Sequence, residues 1–239
     1  VARRVMPQPV VSAMMRGCME SGCDVVDGGA KYNSTGVSGI GLGNVVESFN
    51  VIDRLCFQEK SVTTRELYDA LVDNWEGHEE LREKIANDVP HYGNGDPESD
   101  KYCKYVAESF ADYVNVRVGM RGNHYAAGLY PVTMNVTFGK FTAATPDGRK
   151  KGEPLSDGIS AVQGYDANGP TAILGSVSNF DTSKYSNGLL LNMKFHPSAV
   201  RDDEGVAKLA ALMKAYFFDM DGMEMQLNIV SADTLRDAQ

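Results

Sequence analysis

At 239 residues, the chain has room for one large domain or for a portion of a bigger one. Its 43% hydrophobic and 23% charged residues are ordinary for a globular chain, and no stretch approaches the roughly 18 consecutive apolar residues that cross a bilayer. A net charge of −9 with no basic stripe argues against nucleic acid or an anionic membrane as a partner.

The predicted elements run as follows in chain order. Pro9 to Ser21 reads as one helix, with Val10, Val11, Met14, Met15 and Cys18 on its apolar face and Gly22 as the stop. Gly36 to Gly43 reads as a loop with four glycines, and Val45 to Phe57 as a second helix. Thr63-x-x-Glu66 is a capping box that opens a helix through Trp75, followed after Gly77 by a short charged helix to Ile85. Tyr92 to Pro97 is a loop, and Glu98 to Val114 is a helix with Tyr102, Val106, Phe110 and Tyr113 in register. The alternation of Tyr130 to Phe138 predicts a half-buried strand. Ala143 to Asp181 is loop-rich. Gly188 to Lys194 and Met223 to Val230 are strand candidates, Glu204 to Phe218 is a helix, and Ser231 caps a last one. Alternating helices and sparse strands indicate an α/β architecture, with too few strands to close a sheet.

Motifs that usually carry chemistry are mostly lures here. Gly39-Ile40-Gly41-Leu42-Gly43 has GxGxG spacing, which suits a tight backbone passage better than a phosphate cradle. Cys18, Cys23, Cys56 and Cys103 form no CxxC pair, and His78, His91, His124 and His196 fall at no metal-ligand spacing, so no metal site is expected. His196, just before Pro197, suits a turn anchored by its ring nitrogens. No apolar run follows Arg3-Arg4, and the cysteines suit reduced thiols. A cytoplasmic location without a secretory leader is expected.

Ala144-Thr145-Pro146-Asp147-Gly148-Arg149 contains a Pro-Asp-Gly turn. Around it, in order, stand Gly28-Gly29-Ala30-Lys31-Tyr32-Asn33, Gly152 to Gly158, Asn168-Gly169-Pro170, Asn187 to Ala199 and Gln226 to Ser231. This succession resembles the C-terminal part of the glycyl radical enzymes, the pyruvate formate-lyase and glycerol dehydratase family, over nearly the whole chain. The resemblance implies part of a ten-stranded α/β barrel with outer helices. Residues 1–239 would form a partial barrel domain, a portion of its second half, truncated before the glycine radical domain and its loop. It implies radical chemistry with no cofactor bound directly. A separate activase dependent on S-adenosylmethionine would install the glycyl radical, and the intact enzyme would be a homodimer acting on a small molecule. The favoured branch is dehydratase-like, eliminating water or another group from a diol, hydroxyproline or related substrate. Pyruvate formate-lyase proper, or a non-catalytic scaffold reusing the fold, are the alternatives.

The resemblance also bears on residues. Gly17-Cys18-Met19-Glu20 matches the letters of the family's catalytic Gly-Cys-x-Glu motif, but it sits next to the Gly-Gly-Ala segment rather than well upstream of it. Cys18 and Glu20 are therefore expected to be a decoy, with the thiyl cysteine and the radical glycine outside this chain. In the family, a strand at the position of Tyr130 lines the cavity. Val132, with Tyr130 at the rim, is the expected substrate-facing pair.

Overall fold

A computed structural model describes residues 2–237. The helices are α1 (Ala2–Val5), α2 (Pro9–Met14), α3 (Cys18–Ser21), α4 (Leu42–Val51), α5 (Thr64–Val72), α6 (Glu79–Asp88), α7 (Pro97–Asn115), α8 (Met134–Phe141), α9 (Pro170–Val177), α10 (Asp203–Lys214) and α11 (Ala232–Asp237). The strands are β1 (Thr35–Ser38), β2 (Tyr125–Gly128), β3 (Leu190–Phe195) and β4 (Glu224–Ile229). A π-helical turn extends α4 over Ile52–Gln58, and another extends α10 over Ala215–Asp219.

The strands align side by side in the order β1-β2-β3-β4, all parallel. Thr35 pairs with Tyr125 and Ser38 with Gly128; Leu190 pairs with Glu224 and Phe195 with Ile229. A parallel bridge between Leu129 and Leu189 joins the two pairs, with Leu129 donating to Gly188 and Leu190 to Leu129. Strand side chains alternate between faces. Val37, Ala127, Leu129, Leu189, Leu191, Met193, Met225 and Leu227 point one way, into a core shared with Cys103, Ala107 and Ala111 of α7 and Leu174 and Val177 of α9. A second core joins Val51, Leu55, Leu67, Ala70, Trp75 and Ile85 across α4, α5 and α6.

Most helices lie where periodicity puts them. Thr63 caps α5, accepting from the Glu66 amide at 3.1 Å while Glu66 reaches back to Thr63 N at 2.7 Å. That helix ends at Val72 rather than Trp75, because Asn74 and Trp75 adopt positive φ. Five features depart from these expectations. The helix expected over 9–21 is broken between α2 and α3, where Gly17 sits at φ +102 with no space for a Cβ beside Lys31 N. β1 occupies part of what reads as a glycine loop, β2 was not foreseen, and α9 interrupts the loop-rich stretch. The strand expected over Tyr130 to Phe138 does not exist: Val132 and Thr133 turn the chain at positive φ, and α8 follows. Gly139 lets α8 pass against Glu153 and Pro154, where a Cβ would lie 2.3 Å from a carbonyl oxygen. Tertiary packing of this kind overrides local strand propensity.

Asp100, in the first turn of α7, is 4% exposed. It accepts from Ser176 Oγ at 2.8 Å, and among the described residues its Oδ1 makes no hydrogen bond. Burial pushes its pKa up to about 6. A carboxyl raised on folding stabilises the protein at low pH, and that contribution is lost as pH rises through about 6. Asp100→Asn should therefore gain on the wild type, by about 2–3 kcal/mol, between pH 4 and pH 7.5. Urea unfolding of both proteins at each pH checks this; a pH-independent difference contradicts it.

Candidate functional site

Parallel sheets normally bury both faces under helices. This one buries one face. The other presents Gly36 and Ser38 from β1, Ala126 and Gly128 from β2, Leu190, Asn192 and Lys194 from β3, and Glu224, Gln226 and Asn228 from β4. A polar, small-residue face on a parallel sheet fits the wall of a cavity, where a few aimed polar groups orient a ligand.

Tyr130 stands at the centre of this face. Ser38 Oγ donates to Tyr130 O at 2.6 Å and accepts from Tyr130 N at 3.2 Å, tying the end of β2 to the end of β1. The ring folds back over Gly128, where an added Cβ would lie 2.8 Å from Tyr130 Cε1. Asn187 Nδ2 donates to Tyr130 Oη at 2.9 Å. Across Gly188, the Glu224 carboxylate closes the cluster: a Cβ on Gly188 would meet Glu224 Oε1 at 2.7 Å and Tyr130 Cδ1 at 3.6 Å. Val132 lies at the tip of the following turn, 70% exposed at φ +44. Positive φ is unusual for a β-branched residue, and strain of this sort gathers at ligand-contacting segments. The alternation that singled out Val132 does not apply, since no strand runs through it.

A cleft of 860 Å³ opens at the carboxyl end of β3. Asn192, Lys194, Ser160, Asp157 and Asn135 line it, together with the Asp147–Arg149 turn. Neither Tyr130 nor Val132 is among its lining residues. Gly158 makes this wall possible. It presses against Leu190 O so closely that a Cβ would be 2.0 Å away, and Ile159 N donates to that same oxygen at 3.0 Å. The 158–160 segment thus continues the sheet edge after β2 has ended.

The turn behind the cleft is held by Arg149, 5% exposed. Its guanidinium donates to Thr145 Oγ1 and to the carbonyls of Thr142, Ala143, Lys150 and Glu153. Asp147 accepts from Asn44 Nδ2 at 2.6 Å, and Tyr165 Oη donates to Asp147 O at 2.8 Å. Tyr165 stacks on His91, whose Nδ1 lies 2.9 Å from buried Glu47.

Cys18 and Glu20 lie apart from this, at the start of the chain. Cys18 is 3% exposed at the first position of α3, and Glu20 accepts from Gly17 N at 2.9 Å. Gly29 of the Gly-Gly-Ala segment packs against Cys23 O, where a Cβ would lie 2.0 Å away. His196 accepts from Ser198 N at 3.2 Å and opens the turn after β3, as its place before Pro197 indicates. Gly39 and Gly43 pass Leu129 and Ser160 at distances that exclude a Cβ, the close backbone passage expected of that loop. Asn187 and Ser38 escaped the sequence reading. The signal that could have found them is the trio Gly36, Gly128 and Gly188, legible only once the strands are aligned. Among the described residues, no cluster of three or more His, Cys, Asp or Glu could hold a metal, and no helix is long and apolar enough to cross a membrane.

An all-parallel sheet, helices on one face and a polar cavity wall on the other, define a segment of an α/β barrel. The chain belongs to the pyruvate formate-lyase-like family of glycyl radical enzymes. The family model described as pyruvate formate lyase-like matches residues 1–139, and that described as glycine radical matches residues 155–239. The chain is similar to trans-4-hydroxy-L-proline dehydratase of Clostridioides difficile, at 35% identity over 100% of this chain and 30% of that protein. It is similar to (2S)-3-sulfopropanediol dehydratase of Klebsiella oxytoca, at 38% identity over 99% of this chain and 29% of the other. It superposes on the glycerol-bound form of the B12-independent glycerol dehydratase of Clostridium butyricum with a TM-score of 0.93 and 39% identity, covering 100% of this chain and 30% of that one. The chain thus spans about 30% of the length of these relatives, and its fold is part of their barrel.

Proposed function

We propose that this chain walls the substrate cavity of a glycyl radical enzyme of the dehydratase-like branch, which eliminates water or another small group from a small hydroxylated substrate. The observation that carries the proposal is the polar, glycine-floored face of the parallel sheet with Tyr130 seated on it. The relatives named above support the branch, since trans-4-hydroxy-L-proline, sulfopropanediol and glycerol all bear hydroxyls. In this reading a radical S-adenosylmethionine enzyme installs the glycyl radical, the working enzyme is a cytoplasmic homodimer, and residues 1–239 bind no cofactor directly. They orient the substrate and keep water away from the reacting radical. Cys18 and Glu20 take no part in the chemistry. A buried thiol on a short helix, and a carboxylate already engaged by Gly17 N, serve the local fold.

Tyr130 and Val132 are the substrate-facing residues in this proposal, Val132 through the strained, exposed turn that follows Tyr130. In the enzyme carrying this chain, Val132→Phe should raise KM about tenfold, or change preference among glycerol, trans-4-hydroxy-L-proline and (2S)-3-sulfopropanediol. The glycyl radical yield should stay unchanged. A kinetically silent Val132→Phe, with Thr133→Val altering substrate choice, would mean that the turn faces the other way.

A further inference from the structure

We propose that Asn187 is a positioning residue, holding the Tyr130 ring over the glycine floor and leaving the phenolic proton free for a substrate oxygen. The proposal rests on the reading of Tyr130 as substrate-facing. The Asn187 backbone is fixed first: its N–H donates to Ala127 O at 3.1 Å, and Gly188 N donates to Tyr185 O at 3.1 Å. Its side chain then lies across two strands. An added Cβ on Gly36 would fall 2.2 Å from Asn187 Nδ2, and one on Gly128 would fall 2.9 Å from the same atom. Only at glycine is there space for the amide to reach the ring. Gly36 has ordinary backbone geometry, so its glycine serves this space rather than a turn.

The direction of the hydrogen bond sets the chemistry. Asn187 Nδ2 donates, so Tyr130 Oη is the acceptor in that bond. A phenol has one proton, and that proton must go elsewhere. The ligand class this favours carries an oxygen acceptor: a hydroxyl, carboxylate or sulfonate oxygen facing the sheet. Ser38 meanwhile fixes the Tyr130 backbone from the other side. The ring is held at both ends before any ligand arrives, and such preorganisation strengthens binding.

Dissociation constants of glycerol, trans-4-hydroxy-L-proline and (2S)-3-sulfopropanediol, measured by calorimetry on the unactivated enzyme carrying this chain, test the proposal. For the tightest of the three, Tyr130→Phe should weaken binding about tenfold, the scale of one lost hydrogen bond. Asn187→Ala should weaken it similarly, and the double variant should be no weaker than Tyr130→Phe alone. Gly36→Ala should reproduce Asn187→Ala without altering either hydrogen-bonding residue. Asn187→Asp should fail to restore binding, because a carboxylate accepts the phenolic proton instead of leaving it for the ligand. Wild-type affinity in Asn187→Ala, full additivity with Tyr130→Phe, or rescue by Asn187→Asp overturns the positioning role and leaves Tyr130 in place. Wild-type affinity in Tyr130→Phe overturns the cavity reading itself, and the positioning role with it.

Discussion

Arg149→Met should cost about 3–5 kcal/mol of stability, the largest loss expected from any single change behind the cleft. Arg149 is almost wholly buried and spreads its donors over one hydroxyl and four carbonyls. Methionine fills similar volume but leaves those carbonyls without donors. It also removes the cation beside Asp147, whose carboxyl burial already pushes up. Arg149→Lys should recover only part of the loss, since one ammonium cannot span the positions that a planar fork reaches. Trp75 is the chain's single tryptophan, and its Nε1 donates to Arg149 O at 3.2 Å. Its fluorescence therefore reports unfolding from within the same network. A loss below about 1 kcal/mol would show that the turn holds without its arginine.

Removing His91 should be nearly as costly, and the cost should depend on which partner is removed. Glu47 is fully buried, accepting from Tyr92 N at 2.6 Å and facing His91 Nδ1 at 2.9 Å. His91 Nε2 faces Ala86 O at 3.1 Å, so both ring nitrogens meet acceptors and the charged imidazole fits the site. Burial opposes that charge, but the Glu47 carboxylate and the Ala86 carbonyl outweigh it and raise the His91 pKa. Burial likewise raises Glu47, and His91 partly offsets the effect. Asp147 adds negative charge from the facing turn, and Tyr165 covers the ring. His91→Ala strands a buried carboxylate and should cost about 3–5 kcal/mol near pH 7. Glu47→Gln keeps an acceptor for Tyr92 N and should cost about 1–2 kcal/mol. Both shifts are upward, so Glu47's contribution is lost as pH rises through its own raised value, and His91's, still present at mildly acidic pH, is lost as pH rises through the raised His91 value. Urea unfolding at pH 6 and pH 8 should show wild type losing stability over this interval and Glu47→Gln losing less. Equal losses at both pH values for all three proteins would contradict the pairing.

The helices were legible because their signals are local. The Thr63 capping box and the three-to-four-residue apolar spacing of α7 and α10 each sit within one element. The short strands were not legible. β1 is Thr-Gly-Val-Ser and β2 is Tyr-Ala-Ala-Gly, with none of the branched apolar run that marks a buried parallel strand. Their small residues answer to side chains from other elements: Gly36 and Gly128 make way for Asn187, which lies 151 positions after Gly36 (187 − 36). Tyr130 to Phe138 fails for a related reason. Val132 and Thr133 read as strand formers, yet packing holds them at positive φ, and the helix after them is set by contact with Glu153 and Pro154. The family was legible from motif order. Those motifs prove to be mainly backbone devices: Gly29 under Cys23, Gly158 against Leu190, and Arg149 pinning the Pro-Asp-Gly turn. Tyr130 was singled out by strand alternation that does not exist, and it reaches the open face because β2 ends two residues before it.

The most direct measurement joins radical and substrate. The enzyme carrying this chain is activated anaerobically with a radical S-adenosylmethionine activase and examined by electron paramagnetic resonance. It is then offered glycerol, trans-4-hydroxy-L-proline and (2S)-3-sulfopropanediol, and separately pyruvate with coenzyme A. A dehydratase-like enzyme gives a glycyl doublet and eliminates water from at least one of the three hydroxylated compounds, with slower turnover in Tyr130→Phe at an unchanged doublet. A glycyl doublet accompanied by formate from pyruvate, with all three hydroxylated compounds untouched, would contradict it.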